Sequence, residues 1–200
     1  MSELFFDTET SDMVKWSLDE KEPSQPWLIQ LGAILSTDNL ILGELNAMID
    51  CIDLAMRRQE KFYIASGAAD AHGIVEEMIR DYGLPGRHVM LTFLNMLKKA
   101  DTVVCHNVDF DKKMLKVMCV KMGLNVDMFG PIDKKEWICT MKTSTDICRL
   151  PGKFGKFKWP KLQELHCHLF GVGFTGAHDA MEDIRATRRC FYELRKRGVV

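Results

Sequence analysis

Apolar residues along this chain come in short blocks separated by polar turns, and the spacing inside each block predicts its element. Residues 4–10 open apolar and end in two acids. Side chains two apart on a strand share a face, so as a strand this stretch projects Asp7 and Glu9 together and turns Thr8 away. Residues 11–26 are polar, contain Pro23 and Pro26, and predict an exposed loop. Residues 28–35 are almost continuously apolar, the pattern of a strand buried on both faces. The turn cluster 36–39 and the run 40–49 then predict a hairpin. Helical spacing begins at Ile74, Met78 and Ile79, breaks at 83–86, and resumes with Met90, Leu91, Leu94 and Leu97. Residues 102–105 form a β-rich run, 112–122 carry a helical apolar side, and 161–170 predict another helix. Ala180, Ile184, Thr187, Phe191 and Leu194 trace the stripe of a last helix. This order of strands and helices predicts an α/β layered domain, whose ligands sit at the carboxyl ends of the strands.

Composition narrows the picture without changing it. A chain of 200 residues, 46% of them hydrophobic, can bury one sizeable core, so a single domain over 1–200 is expected. Its 27 Lys and Arg nearly cancel 28 Asp and Glu, which excludes a global basic field and makes any nucleic-acid contact local. The seven cysteines are never spaced C-x-x-C, as expected of reduced thiols in a cytoplasmic protein. No apolar run approaches the ~18 residues of a membrane span and no signal-peptide pattern opens the chain, so no membrane partner is expected.

Candidate chemistry concentrates at three places. Asp7 and Glu9 form a carboxylate pair on one strand face, and two such anions repel unless a positive group lies between them. In the stretch 105–111, Asp109 or Asp111 would cap the following helix or reach the ends of the same strands, and the residues favour neither acid. His106 is either a ligand or a hydrogen-bonded structural side chain. In 176–183, Asp179 and Glu182 have the spacing of a capping box with Asp in the place of Ser or Thr. His178 would then lie just outside the helix. Asp183 would fall within roughly 60° of the apolar stripe's centre, at ~100° per residue, unusually close to a buried face for an acid. The tract 153–161 interleaves Lys153, Lys156, Lys158 and Lys161 with Phe154, Phe157 and Trp159. It suits either phosphate contact with base stacking or a solvated helix start.

Together these stretches resemble the DnaQ-like superfamily of 3′-to-5′ exonucleases, in its DEDDh subgroup. The strand ending D-x-E-T corresponds to Asp7-Thr8-Glu9-Thr10. The H-N-x-x-F-D motif is matched by His106, Asn107, Phe110 and Asp111, which selects Asp111 over Asp109. The H-D-A-x-x-D motif is matched by His178, Asp179, Ala180 and Asp183. The run 29–33 resembles the family's second strand, and His72-Gly73-Ile74 resembles a segment that touches the substrate near its 3′ end. The chain departs from the family in having Ser11-Asp12 and a long polar loop where a Gly often follows the first motif.

The resemblance implies a ribonuclease-H-like mixed β-sheet flanked by α-helices. It implies that Asp7, Glu9, Asp111 and Asp183 hold two divalent cations, Mg²⁺ or Mn²⁺, hard ions suited to oxygen ligands. It implies that His178 is the general base, a task suited to an imidazole of ordinary pKa ~6.5. Thr8, Thr10, His72, Asn107, Phe110, Lys153, Lys156 and Lys158 are the expected substrate contacts. The expected activity is hydrolysis of single-stranded DNA from its 3′ end to nucleoside 5′-monophosphates. An RNA 3′-exonuclease of the same superfamily, or a catalytically silent nucleic-acid or partner-binding module, is the alternative. Expected partners are single-stranded 3′ ends and a polymerase or other replication or repair protein.

Overall fold

A computed structural model describes residues 1–38, 40–125 and 135–200. Among them the strands are β1 (Glu3–Thr10), β2 (Leu28–Ser36), β3 (Ile41–Asp50), β4 (Leu84–Pro85), β5 (Thr102–Cys105) and β6 (Glu136–Cys139). The helices are α1 (Cys51–Arg58), α2 (Ser66–His72), α3 (Glu76–Tyr82), α4 (Gly86–Lys99), α5 (Val108–Lys121), α6 (Thr140–Thr143), α7 (Thr145–Cys148), α8 (Leu162–Phe170) and α9 (Ala180–Lys196). The described strands form a mixed sheet ordered β4-β3-β2-β1-β5-β6. β1, β2 and β3 run antiparallel as a meander, while β5 joins the other side of β1 in parallel and β6 joins β5 in parallel. The strands predicted at 4–10, 28–35, 40–49 and 102–105 are all present within a residue or two. Asn39, in the predicted turn, lies outside the described residues. No helix among the described residues is long and apolar enough to cross a membrane.

Alternation along β1 divides the core into two layers. Leu4 and Phe6 face the layer of α4 and α5, where Phe6 meets Phe93 at a ring separation of 5.0 Å. Phe5 points the other way, into a cluster with Ile34, Val104, Ile184 and Phe191, the last in edge contact at 5.4 Å. β2 is buried along its whole length because helices cover both of its faces, which is why its sequence does not alternate.

α9 reaches the sheet over Gly32, the residue paired with Asp7 across β1 and β2. A Cβ at Gly32 would stand 2.6 Å from Ile184 Cδ1 and 3.2 Å from Ala180 Cβ. The missing side chain therefore lets the first turns of α9 approach the strand that carries Asp7. Gly32→Val is expected to destabilise the fold by about 1–3 kcal/mol through overpacking and to lower activity by lifting Asp183 from its neighbours. Urea melts and turnover measured together check this; an unchanged midpoint would show that α9 yields freely.

Two expectations about helix starts need correction. α5 begins at Val108, four residues before the predicted 112, so Asp109 and Asp111 lie in its first turn and neither caps it. Acids are favoured there because the helix N-terminus is electropositive, so the turn tolerates both before any other role is assigned. At α9, Asp179 is the N-cap and accepts from the amides of Met181 and Glu182 at 3.0 and 3.1 Å. The Glu182 carboxylate pairs with Arg185 rather than completing a capping box.

Candidate active site

The carboxyl end of β1 carries Asp7 and Glu9 on the face that α9 covers, and Asp183 enters from the first turn of α9. Oxygens of these three acids all lie within 4.8 Å of one another. Asp111, only 3% exposed, comes from the first turn of α5 on the opposite side of the sheet. Its Oδ1 accepts the Thr8 hydroxyl at 2.7 Å, so the residue that alternation turns away from Asp7 and Glu9 serves to hold the fourth acid. Asp109 is exposed and ion-paired to Lys142 at 2.5 Å.

The charges of this cluster are mutually unfavourable. Burial, then the fields of Asp111, Glu9 and Asp183, raises the Asp7 carboxyl well above the ordinary range. Burial and the neighbouring acids Asp183, Asp111 and Asp179 lift Glu9 to about 8. Burial lifts Asp111 to about 7 against the opposing Thr8 hydrogen bond, and lifts Asp183 to about 6. Asp183 Oδ2 accepts the His178 amide at 3.2 Å, whereas its Oδ1 is buried without a hydrogen-bond partner. A buried carboxylate oxygen with no donor is costly. An all-carboxylate set with one vacant buried oxygen has the chemistry of a hard divalent-cation site.

His178 sits at the third position of the turn closed by the Asp179 amide on the Gly176 carbonyl, at φ 70°. Glycine or asparagine is usual where φ is positive, and a histidine there costs on the order of 1 kcal/mol. Its backbone position precedes α9, so it can share a site with Asp183 although residues five apart on a helix do not share a face. Its side chain is exposed and lines a cleft of about 710 Å³ together with Asp7, Glu9, Asp111 and Asp183.

Of the expected substrate contacts, Thr8, Asn107 and Phe110 line this cleft. Thr10 is buried with its hydroxyl on the Asp12 carbonyl at 2.9 Å. His72 stands behind it. Its Nδ1 accepts the Ile74 amide at 3.0 Å, so its Nε2 is the donor to the Thr10 carbonyl at 3.3 Å. Burial and the nearby His178 lower its pKa. Lys153, Lys156 and Lys158 lie on an exposed loop and not in the cleft lining, and Lys158 is paired with Glu164 at 2.5 Å. Met13, Met141 and the segment from Trp159 to Leu162 line the cleft instead. Met13 and Met141 had no sequence signal, because tertiary folding of the 11–26 loop and α6 brings them there.

A mixed sheet whose central strand ends in clustered carboxylates has the arrangement expected of a nuclease. The comparisons with known proteins make that class specific. The RNase T exonuclease family matches residues 4–191, and the chain belongs to it. It is 24% identical over 196 residues to the uncharacterized exonuclease CP81 of Escherichia phage 186, covering 98% of this chain and 89% of that protein. Escherichia coli exonuclease I in complex with a dT13 oligonucleotide superposes with a TM-score of 0.70 at 18% identity over 98% of this chain. This chain spans 41% of exonuclease I. The nuclease domain of 3′hExo, a DEDDh family member bound to rAMP, superposes with a TM-score of 0.68 at 15% identity, covering 99% of this chain and 93% of that one. At such identities the superpositions establish the fold.

Proposed function

We propose that this chain is a divalent-cation-dependent 3′-to-5′ exonuclease, its residues 1–200 forming one exonuclease domain, that cuts single-stranded DNA to nucleoside 5′-monophosphates. The observation that carries this reading is the convergence of Asp7, Glu9 and Asp183 within 4.8 Å, backed by Asp111, with pKa values pushed upward. Asp7, Glu9, Asp111 and Asp183 would hold two cations, Mg²⁺ or Mn²⁺. When bound, such ions neutralise phosphate charge, lower the pKa of water and stabilise the leaving oxygen. His178, exposed at the cleft, takes the proton of the attacking water at an imidazole nitrogen. Thr8 holds Asp111, and the His178 amide holds Asp183, so both acids are oriented before substrate arrives. Asn107 and Phe110 bound the space for the terminal nucleotide.

The likeness to exonuclease I, seen with a DNA oligonucleotide, supports DNA. The near-complete coverage of the 3′hExo domain, bound to rAMP, supports RNA as the second reading. Labelled single-stranded DNA, duplex DNA and RNA, each incubated with Mg²⁺ or Mn²⁺, decide between them. Preferential shortening of the DNA single strand from its 3′ end is expected. Faster loss of RNA would transfer the assignment to the second reading, and no cleavage of any strand would end both.

The raised pKa values also predict how cations act on stability. Each acid binds its proton more tightly folded than unfolded, so the cation-free fold loses stability as pH rises from about 4 to about 8. Cation binding displaces those protons. The gain in melting temperature on adding Mn²⁺ is therefore expected to be small near pH ~5.5 and large near pH ~8. A gain independent of pH would count against the cluster as the binding site.

A further inference from the structure

The cleft wall at Trp159 is the end of a loop that closes largely on itself. The Gly152 amide donates to the Lys156 carbonyl at 2.9 Å, and the Lys158 amide to the Leu150 carbonyl at 3.0 Å. Pro151 and Phe157 form an isolated bridge, and Phe154 at the tip is 98% exposed. Such a loop needs an anchor if its last residues are to hold a fixed place at the cleft.

His106 supplies one. Its Nε2 lies 3.0 Å from the Pro160 carbonyl and its Nδ1 lies 3.0 Å from the Thr140 hydroxyl. A carbonyl can only accept, so Nε2 carries the proton and donates, and Nδ1 accepts from Thr140. Burial pushes the ring's pKa down to about 4, in keeping with a neutral imidazole in this tautomer. One side chain thus joins the end of β5, the start of α6 and the end of the loop. Trp159, next to the tethered carbonyl, is 60% exposed and lines the cleft that holds the acids. An exposed indole beside a carboxylate cluster has a face on which a nucleobase can stack, and stacking needs a fixed plane more than a hydrogen-bond pattern.

We propose that His106 is a positioning residue for the substrate strand: by tethering the Pro160 carbonyl to the end of β5 it fixes Trp159 as a stacking surface for a base of a single-stranded substrate. This rests on the nuclease reading of the site. His106 lines the cleft, but both of its ring nitrogens are taken up by Thr140 and Pro160 rather than by the acids, so its loss should weaken strand binding more than the chemical step.

Steady-state kinetics on a single-stranded oligonucleotide, intact and with abasic residues replacing the bases near its 3′ end, test the inference. His106→Phe keeps the ring's volume and removes the donor; it is expected to raise KM on the order of 10-fold with kcat little changed. Trp159→Ala, at an exposed position, should do the same, and the double variant should be no worse than either alone. The abasic strand should raise KM for the wild type by a similar factor and add nothing in either variant. His106→Gln, which retains an N–H donor, should recover most of the affinity. A fall in kcat at unchanged KM, additive effects of the two substitutions, or an abasic penalty that persists in Trp159→Ala would each overturn the proposal. The last of these stands even if His106→Phe does not fold. A wild type that cleaves no oligonucleotide would instead sink the nuclease reading on which the proposal rests.

Discussion

Asp7→Asn is expected to remove exonuclease activity by on the order of 10³-fold or more, since cations that stabilise the reacting phosphate contribute several kcal/mol and each 1.36 kcal/mol is a factor of ten. The same substitution should raise the melting temperature of the cation-free protein. Asp7 is the acid on which burial and all three neighbouring carboxylates act in the same unfavourable direction. An amide of the same shape relieves that repulsion while leaving the β1 backbone pairing to Gly32 and its neighbours intact. The stabilisation by Mn²⁺ seen for the wild type should disappear with it. Loss of activity joined to a gain in cation-free stability is the signature of a cluster assembled for binding at the expense of the fold. A variant less stable than the wild type, yet still stabilised by Mn²⁺, would show that Asp7 is a structural acid and that the cation site lies elsewhere.

The conflict between charge and burial at the cluster bears on which parts of the site were legible in the sequence. Asp7 and Glu9 stand two apart on an apolar strand, and Asp183 stands close to the centre of an apolar stripe. The placement of Asp183 contradicts the ordinary partition of charge to the surface and is visible in the pattern alone. The Asp7 and Glu9 pair is equally the pattern of a strand running out into a polar loop, and resemblance to the D-x-E-T motif separated the two readings. Asp111 was not legible from pattern, because an acid in a helix's first turn is favourable wherever it occurs; only resemblance to the H-N-x-x-F-D motif separated it from Asp109. In the structure the separation is physical. Asp111 is buried against the Thr8 hydroxyl, and Asp109 is exposed on Lys142. The strands were legible because the apolar run that opens β1 and the continuous apolar run of β2 are local consequences of burial on both faces. The short helices α1 and α2 were not, since α1 buries only Cys51 and Ala55 and α2 buries none of its side chains, so neither carries an apolar stripe. The cleft wall from Trp159 to Leu162 was legible only as composition. Its lysines suggested a phosphate track, but the residues that line the cleft are the indole, Pro160, Lys161 and Leu162, not Lys153 or Lys156.

His178→Ala should separate the base from the cation site. Asp183 is oriented by the His178 main-chain amide, which alanine retains, and the imidazole is not among the clustered oxygen donors. The melting-temperature gain with Mn²⁺ should therefore persist in the variant. Turnover should fall by roughly 10²- to 10⁴-fold, the span of general-base contributions. Two features of the chain make this more than an argument from residue type. The turn from Gly176 to Asp179 holds a histidine at φ 70°, where glycine would be unstrained, so the side chain is kept at a backbone cost. It is also exposed at the cleft, where a water on the substrate side can reach it without displacing a buried group. Added imidazole should then restore part of the lost turnover in His178→Ala and none in Asp7→Asn, because only the first variant keeps the cations and lacks just a proton acceptor. Near-normal turnover in His178→Ala, or a lost Mn²⁺ effect, would remove His178 from the base role and return it to the structure of the turn.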